Sequence, residues 1–197
     1  CWIRRMNELD YLEEPDMFHD VFAHTPLLSN PTYCDFFKSI GDLALKHIHN
    51  PSVIEKLGRL YWFTIEFGMI YKNNEINAFG AGVISSAGET KHALSSHSKK
   101  IDFDIRKIFN TDFRTDVLQE NYFVIDSFDQ LLDAVPEIEQ IILETKEREG
   151  FLLSQQIKHN DLSHSQLIHD KLKCKSIIVY CLLSILSASM SVFIINV

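Results

Sequence analysis

The sequence predicts a mainly α-helical domain with a few short strands. Apolar residues recur with a period near 3.6 over residues 30–49, and Asn50-Pro51 has the pattern of a helix N-cap followed by proline in the first turn. Strand signals are confined to short apolar runs after residue 74. With 197 residues, the chain is long enough for one domain with a substantial core.

The helix that begins at Pro51 is expected to reach about Tyr71. Its sequence is apolar on nearly every face, which predicts a buried central helix. Residues 75–88 contain three glycines around a short apolar run. Because glycine permits tight turns and close backbone approach, we expect a strand or hairpin with tight loops there.

The second half of the domain predicts one more strand and one interrupted helix. Residues 121–128 are rich in strand formers, and a helical pattern follows over residues 128–149. Pro136 should kink that helix or split it in two. We assign residues 1–150 to one domain and residues 151–197 to a C-terminal extension.

The extension ends in an uncharged segment, residues 176–197, which follows a lysine-containing stretch. Its length would cross a bilayer, and the lysines would favour a cytoplasmic flank. A buried C-terminal helix and a product of a frameshift are the other two interpretations. A membrane tether is expected only through this segment.

The composition excludes one class of function and indicates a compartment. A net charge of −8 leaves no concentrated basic surface for nucleic acid. The four cysteines show no CxxC spacing and favour reduced thiols in a cytoplasmic protein. Since the first residue is Cys rather than Met, we expect that the chain begins inside a longer reading frame.

Two histidines five residues apart, His19 and His24, form a candidate metal site. On an α-helix such residues differ in direction by about 140°, so their imidazoles cannot share a face. Thr25 precedes Pro26, which disfavours the α region at Thr25, and we expect the helix to stop at about His24. A ligand at the helix end could then point back towards one in its middle, although the spacing alone is a weak signal.

Glu66 provides a stronger indication, because its helical neighbours are all apolar. An ionised carboxylate buried among them needs a partner. A distant arginine, a proton on the carboxylate itself, or a metal shared with the two histidines would each meet that need. The neighbours at i±3 and i±4 are Trp62, Phe63, Met69 and Ile70.

Two imidazoles and one carboxylate are the donor set of non-haem Fe(II) oxygenases. A hydrolytic zinc site can use the same donors. The zinc-peptidase motif HExxH is lacking, because Asp20 follows His19 and the spacing to His24 is wrong. The donor set therefore favours iron over zinc.

Three segments in order along the chain, EPDMFHDVFAHTPLL, GRLYWFTIEFG and FGAGVISSAGE, resemble the pterin-dependent aromatic amino acid hydroxylases. The likeness covers about residues 1–135. It implies a partial hydroxylase catalytic domain with Fe(II) and tetrahydrobiopterin, or another tetrahydropterin, as cofactors. The implied reaction is the hydroxylation of L-phenylalanine to L-tyrosine with O2.

The resemblance also implies roles for individual residues. His19, His24 and Glu66 would be the iron ligands. Arg4 falls at the position of a guanidinium that binds the substrate carboxylate, a bidentate task for which lysine is poorly suited. Asp20 falls at an acidic position near the pterin.

The remaining implied residues surround the aromatic ring of the substrate. Pro15 and Trp62 match positions that line the aromatic pocket, and Tyr61 matches an active-site tyrosine. The loop beside the substrate is matched by Gly82, Ser85 and Ser86.

Some features depart from the family pattern. Ala23 stands where the family usually has glycine, and His92 stands in place of a tyrosine. The upstream part of the family's catalytic domain, which holds the pterin loop, is not in this sequence. An iron-binding remnant without catalytic activity, with or without a membrane tether, is therefore an alternative, and a zinc hydrolase is a second.

Overall fold

The computed structural model describes residues 2–10 and 14–159, and of residues 153–159 the backbone alone. The chain divides into two compact units, residues 1–142 and residues 143–197. All of the candidate site residues belong to the first unit.

Helices dominate the described chain, as the sequence predicts. The α-helices are α1 (Pro31–Lys46), α2 (Pro51–Tyr61), α3 (Ala81–Ile84), α4 (Ala87–Leu94), α5 (Ile105–Phe109), α6 (Phe128–Asp133) and α7 (Val135–His159). Short 3₁₀ helices cover Met6–Glu8 and Thr25–Ser29. Two single-turn π-helices, here π-turn 1 and π-turn 2, cover His19–His24 and Trp62–Glu66.

The second helix has the predicted start but not the predicted end. The side chain of Asn50 accepts a hydrogen bond from the Val53 N–H at 3.0 Å, which confirms the N-cap before Pro51. The expectation that the helix reaches Tyr71 is wrong, since α2 ends at Tyr61 and is followed by π-turn 2 and a strand. An apolar run of this kind fits a buried strand as well as a helix, so periodicity could not place the boundary.

The sheet contains four strands in the order β2-β1-β4-β3. They are β1 (Met69–Lys72), β2 (Glu75–Ala78), β3 (Lys99–Asp102) and β4 (Asn121–Ile125). A strand or hairpin was expected within residues 75–88, and the strand is β2; its hairpin partner β1 precedes that range. The turn of this hairpin is Asn73-Asn74, where both residues have positive φ, as a two-residue hairpin turn of type I′ requires. Strand β4 pairs in parallel with β1 and with β3.

The last two helices show the interruption that Pro136 predicts. Helix α6 ends at Asp133 and α7 begins at Val135, which places Pro136 in the first turn of α7, where its missing N–H costs no hydrogen bond. Within the described residues, no helix combines the length and the apolar character that crossing a bilayer requires. Residues 176–197, the predicted candidate for a membrane span, lie outside the described residues.

The hydrophobic core places the two π-turns next to α3. Phe63 of π-turn 2 contacts Phe123 of β4 edge to face, with ring centroids 5.2 Å apart. A second buried cluster joins Phe67, Met69 and Val83 beneath the sheet. Because α3 contacts both π-turns, the segments that carry His19, Glu66 and Ser85 converge.

Candidate metal centre

Both segments that carry the proposed ligands are π-helical. The Thr25 N–H donates to the Asp20 carbonyl, and the Phe67 N–H donates to the Trp62 carbonyl over 2.8 Å. These hydrogen bonds span five residues, so residues five apart lie about one turn apart on the same side. His19 and His24 therefore project together, which an α-helix would not allow.

The π-helix ends at His24, as expected, but the expected reason is wrong, because Thr25 does not leave the helical region. Thr25 keeps helical backbone angles (φ −59°, ψ −41°), and the chain continues into the 3₁₀ helix Thr25–Ser29 with Pro26 in its first turn. Proline is tolerated there because the N–H groups of a first turn have no helical partner in any case. The widened turn, rather than a helix end, brings the imidazoles together.

The three proposed ligands meet at one point. His19 Nε2 lies 2.9 Å from His24 Nε2 and 3.6 Å from Glu66 Oε2, and His24 Nε2 lies 3.2 Å from Glu66 Oε1. Each residue offers one ligand atom, and these atoms lie within 4.8 Å of one another. His19 and Glu66 are buried, and the side chain of His24 is 16% exposed.

These separations fit a single metal ion. With metal–ligand bonds near 2.1 Å, neighbouring donor atoms lie roughly 3.0 Å apart in octahedral geometry and roughly 3.4 Å apart in tetrahedral geometry. Both values are close to the observed distances. Distance alone does not choose between iron and zinc, whereas two imidazoles and one carboxylate on one face are typical of non-haem iron.

Neighbouring side chains hold two of the proposed ligands in place. Ser85 Oγ lies 2.9 Å from His19 Nδ1, so the tautomer that donates from Nδ1 leaves Nε2 free for a metal. The Tyr61 hydroxyl donates to Glu66 Oε1 at 2.9 Å. Both partners are buried, which keeps their hydrogen bonds away from competing water.

The electrostatics of His19, His24 and Glu66, here called the trio, favour a charged carboxylate beside the imidazoles. Burial opposes the charge on Glu66, but His24 and His19 together with the Tyr61 hydroxyl lower its pKa to about 2. Burial lowers the pKa of His19. Burial also acts against the charged form of His24, yet the Glu66 carboxylate outweighs it and raises the His24 pKa. The Glu66 carboxylate thus favours a positive charge beside it, and a bound metal would supply that charge in competition with a proton on His24.

Arg4 lies beside this centre in a buried ion pair. Its Nη2 and Nε atoms donate to the two carboxylate oxygens of Asp16 at 2.6 and 3.0 Å, and its Nη1 donates to the Ser85 carbonyl. Its guanidinium carbon lies 5.1 Å from the centroid of the Phe18 ring. Since guanidinium has five N–H donors, these bonds fix its plane and leave two donors for a bound carboxylate.

Two glycines allow the loop after β2 to approach Glu66 closely. A Cβ atom on Gly80 would lie 2.4 Å from the Glu66 carbonyl oxygen. On Gly82 it would lie 2.8 Å from the Phe67 ring and 3.1 Å from the same oxygen. The first clash involves backbone, so only glycine fits there. The approach brings Ser85 next to His19, and Ser86 caps α4 by accepting from the Glu89 N–H.

The other implied residues lie around the trio at different depths. Trp62 begins π-turn 2 and is partly buried, with its indole against Phe113. Pro15 and Asp20 are exposed. Asp20 acts on the centre by its charge, which favours the protonated forms of His19 and His24.

Asp16 and Gln119 were missed at the sequence level, although each holds a candidate site residue. Asp16 Oδ1 accepts from the His19 N–H at 3.0 Å, and an aspartate three residues before the first ligand is a helix N-cap signal. Gln119 accepts from the Trp62 indole N–H, and its sequence context gives no such signal.

Comparison with known proteins adds independent information. The family model of the biopterin-dependent aromatic amino acid hydroxylases matches residues 1–153. The chain is 47% identical over 134 residues to the phenylalanine-4-hydroxylase of Ralstonia nicotianae, covering 68% of this chain and 42% of that protein. It is 45% identical over 134 residues to the enzyme of Chromobacterium violaceum, covering 68% of this chain and 45% of the relative.

Solved structures agree with these relatives. The crystal structure of the Chromobacterium violaceum phenylalanine hydroxylase with bound iron(III) and oxidised 7,8-dihydrobiopterin matches with a TM-score of 0.66 and 41% identity. That match covers 73% of this chain and 53% of the other. The chain thus spans about half the length of these proteins. On the family match and the shared fold, the chain belongs to the biopterin-dependent aromatic amino acid hydroxylases.

Proposed function

We propose that this chain carries the iron and amino-acid sites of a phenylalanine 4-monooxygenase. The reaction is the conversion of L-phenylalanine to L-tyrosine with O2 and a tetrahydropterin. The observation that carries the proposal is the convergence of three side chains: His19 Nε2 lies 2.9 Å from His24 Nε2, and the two oxygens of Glu66 lie 3.6 Å from His19 Nε2 and 3.2 Å from His24 Nε2. The relatives named above, which are phenylalanine-4-hydroxylases, support the choice of substrate.

His19, His24 and Glu66 would hold Fe(II), with Ser85 and Tyr61 orienting them through the hydrogen bonds already described. An iron held on one face keeps positions open and, when bound, supplies the activation of O2. The protein's own task is to hold both imidazoles with Nε2 towards that point and to keep the carboxylate charged beside them.

The amino acid would be held by its carboxylate and by its ring. Arg4 offers two free N–H donors from a plane fixed by Asp16, which suits a planar carboxylate. The aromatic ring would lie against Trp62 and Pro15, with Gly82, Ser85 and Ser86 forming the adjacent loop. Asp20, exposed beside His19, would face the pterin, and its charge can attract the donor groups of that ring.

Tyrosine formation is the test of this proposal. The chain, loaded anaerobically with Fe(II) and then supplied with tetrahydropterin, phenylalanine and O2, should form tyrosine in step with pterin consumption. Zinc in place of iron should give no tyrosine. Hydrolytic activity that depends on zinc would instead support a metallohydrolase.

A second candidate function is iron binding without hydroxylation. It is favoured by one observation, that the chain spans only 42–53% of the length of the relatives described. In that case the protein would bind Fe(II) at the trio but form no tyrosine. Measuring bound iron and tyrosine in the same preparation separates the two candidates.

A further inference from the structure

A buried polar network holds Trp62, and apart from Trp62 itself the functions proposed above do not use it. It consists of Trp62, Glu89, His92, Gln119 and Tyr122, and we refer to it as the Gln119 network. Gln119 is 4% exposed and Glu89 is fully buried. Buried polar groups of this kind are costly unless they are paired, so their arrangement requires an explanation.

Ring contacts leave the orientation of the Trp62 indole partly undetermined. Its centroid lies 4.5 Å from those of Phe113 and Phe67, at interplanar angles of 16° and 33°. Rotation of the indole about its Cβ–Cγ bond has two broad energy minima, and the indole can stack on neighbouring rings in both of them. A directional bond is needed to select one of them. The Trp62 Nε1–H supplies it by donating to Gln119 Oε1 at 3.0 Å.

The amide of Gln119 is itself held in one orientation. Its Nε2 group donates to the carbonyls of Arg114 and Val117 at 2.7 and 3.0 Å. With the NH2 group committed to two carbonyls, the oxygen must face Trp62. An amide flip would break three hydrogen bonds at once, so the acceptor for the indole is fixed.

The backbone of Gln119 is anchored to α4. Its N–H donates to Glu89 Oε1 at 3.2 Å, and its carbonyl accepts from His92 Nε2 at 3.0 Å. The Tyr122 hydroxyl donates to the same Glu89 oxygen. Helix α4 is capped by Ser86, which directly follows Ser85, the hydrogen-bond partner of His19. Gln119, and through it the Trp62 indole, is thereby linked to the helix whose N-terminus lies next to the metal centre.

We propose that Gln119 is a positioning residue for the aromatic pocket, where its side-chain oxygen holds the Trp62 indole in one of its two orientations. Affinity and selectivity for the aromatic side chain then depend on Gln119, which acts only through Trp62. This inference rests on the proposed function, because it takes Trp62 as a wall of the amino-acid site.

Phenylalanine binding, measured without turnover, tests the inference directly. The chain has two tryptophans, and in a Trp2→Phe background the tryptophan fluorescence reports on Trp62 alone. Gln119→Met keeps the length of the side chain and removes its polar atoms. It should weaken phenylalanine binding about tenfold, which corresponds to the loss of one neutral hydrogen bond. Gln130→Met is the matched control, at a glutamine whose side-chain oxygen accepts from the Asp126 N–H. It should leave phenylalanine binding unchanged.

A double-mutant cycle shows whether Gln119 acts through Trp62. Trp62→Phe removes the N–H, so Gln119→Met should cause no further loss of tyrosine formation or of selectivity for phenylalanine over tryptophan in that background. Equal losses in both backgrounds would overturn the inference. If Gln119→Met does not fold, Trp62→Phe alone takes its place, since it keeps Gln119 and an aromatic wall but lacks the N–H. A lower selectivity for phenylalanine over tryptophan in that variant supports the inference, and an unchanged selectivity refutes it.

The outcomes also separate this inference from the proposed function. A chain whose Trp62 fluorescence responds to phenylalanine but which forms no tyrosine refutes the proposed function and leaves the role of Gln119 standing. Trp62 fluorescence that does not respond to phenylalanine refutes the role of Gln119, whether or not tyrosine forms.

Discussion

The carboxylate of Asp16 holds the guanidinium of Arg4 through two parallel hydrogen bonds, Nη2–Oδ1 at 2.6 Å and Nε–Oδ2 at 3.0 Å. The side chains are 0% and 5% exposed, respectively. The hydrogen bonds from Arg4 hold the pKa of Asp16 well below its usual range despite its burial. Asp16 is thus charged under all ordinary conditions, and it determines which N–H groups of Arg4 remain for a substrate.

Removing Asp16 should destabilise the fold and free the arginine. Asp16→Ala leaves a buried guanidinium without its counter-ion, a change that costs about 3–5 kcal/mol in comparable sites. Thermal or urea unfolding measures this loss. The exposed pair Lys38–Asp42, joined over 2.6 Å with side chains 73% and 60% exposed, provides the control, and Asp42→Ala should leave the melting temperature unchanged. Equal stability of Asp16→Ala and the parent would contradict the importance of the buried pair.

Replacing Glu66 should remove the metal. Glu66→Ala deletes one of the three donors and should weaken Fe(II) or Co(II) binding by on the order of 100-fold or more. Loss of a residue that only orients a ligand weakens metal binding by about 10- to 100-fold, and loss of a ligand should cost more. Anaerobic titration measures the affinity. Glu75→Ala, an exposed glutamate on β2, should bind metal like the parent. Retention of a full equivalent of iron by Glu66→Ala would show that the ion lies elsewhere.

The three candidate ligands could be predicted from the sequence, whereas the backbone conformation that brings them together could not. Glu66 stands out because a carboxylate among apolar neighbours needs a partner, and two nearby histidines are suitable ligand types. The π-turns left no periodic signal, since a single widened turn is too short to produce one. The sequence therefore indicated that the three side chains converge, but not the π-helical backbone that brings them together.

Asp16 and Gln119 illustrate a different limit. Each acts on a residue from another part of the chain, Arg4 in one case and Trp62 in the other. The sequence around either residue gives no sign of such a pair, because the partner is brought close only by the fold. A strand within 121–128, observed over 121–125, and the break near Pro136 were predictable, because β-branched and aromatic composition and the geometry of proline act within the segment itself.

Arg4→Lys should weaken amino-acid binding more than it slows the reaction. Lysine keeps the charge but offers three donors from one point, so it cannot bind both Asp16 and a carboxylate in the geometry of the guanidinium. We expect the apparent KM for phenylalanine to rise about tenfold, with a smaller change in kcat. Steady-state kinetics on Arg5→Lys, next to Arg4 and exposed, provide the control. An unchanged KM for Arg4→Lys would exclude Arg4 as the carboxylate-binding residue.

Glu89 should make the stability of the fold depend on pH. Its carboxyl is fully buried, and Oε2 has no hydrogen-bond partner among the residues that the structure describes. Burial raises the pKa of Glu89, against the opposing effects of the Tyr122 hydroxyl, the Gln119 N–H and the charge of His92. The folded state therefore favours the neutral acid more than the unfolded chain does.

The sign of the effect follows from linkage. The contribution of Glu89 to stability is fully present below the pKa of the unfolded chain, about 4.3, and is lost as pH rises through the higher pKa of the folded state. Glu89→Gln keeps the shape and one acceptor oxygen but cannot ionise. The melting temperature of the variant minus that of the parent should therefore increase as pH rises from about 4 towards neutrality. Parallel melting curves for the two proteins across that range would mean that Glu89 titrates as it does in the unfolded chain.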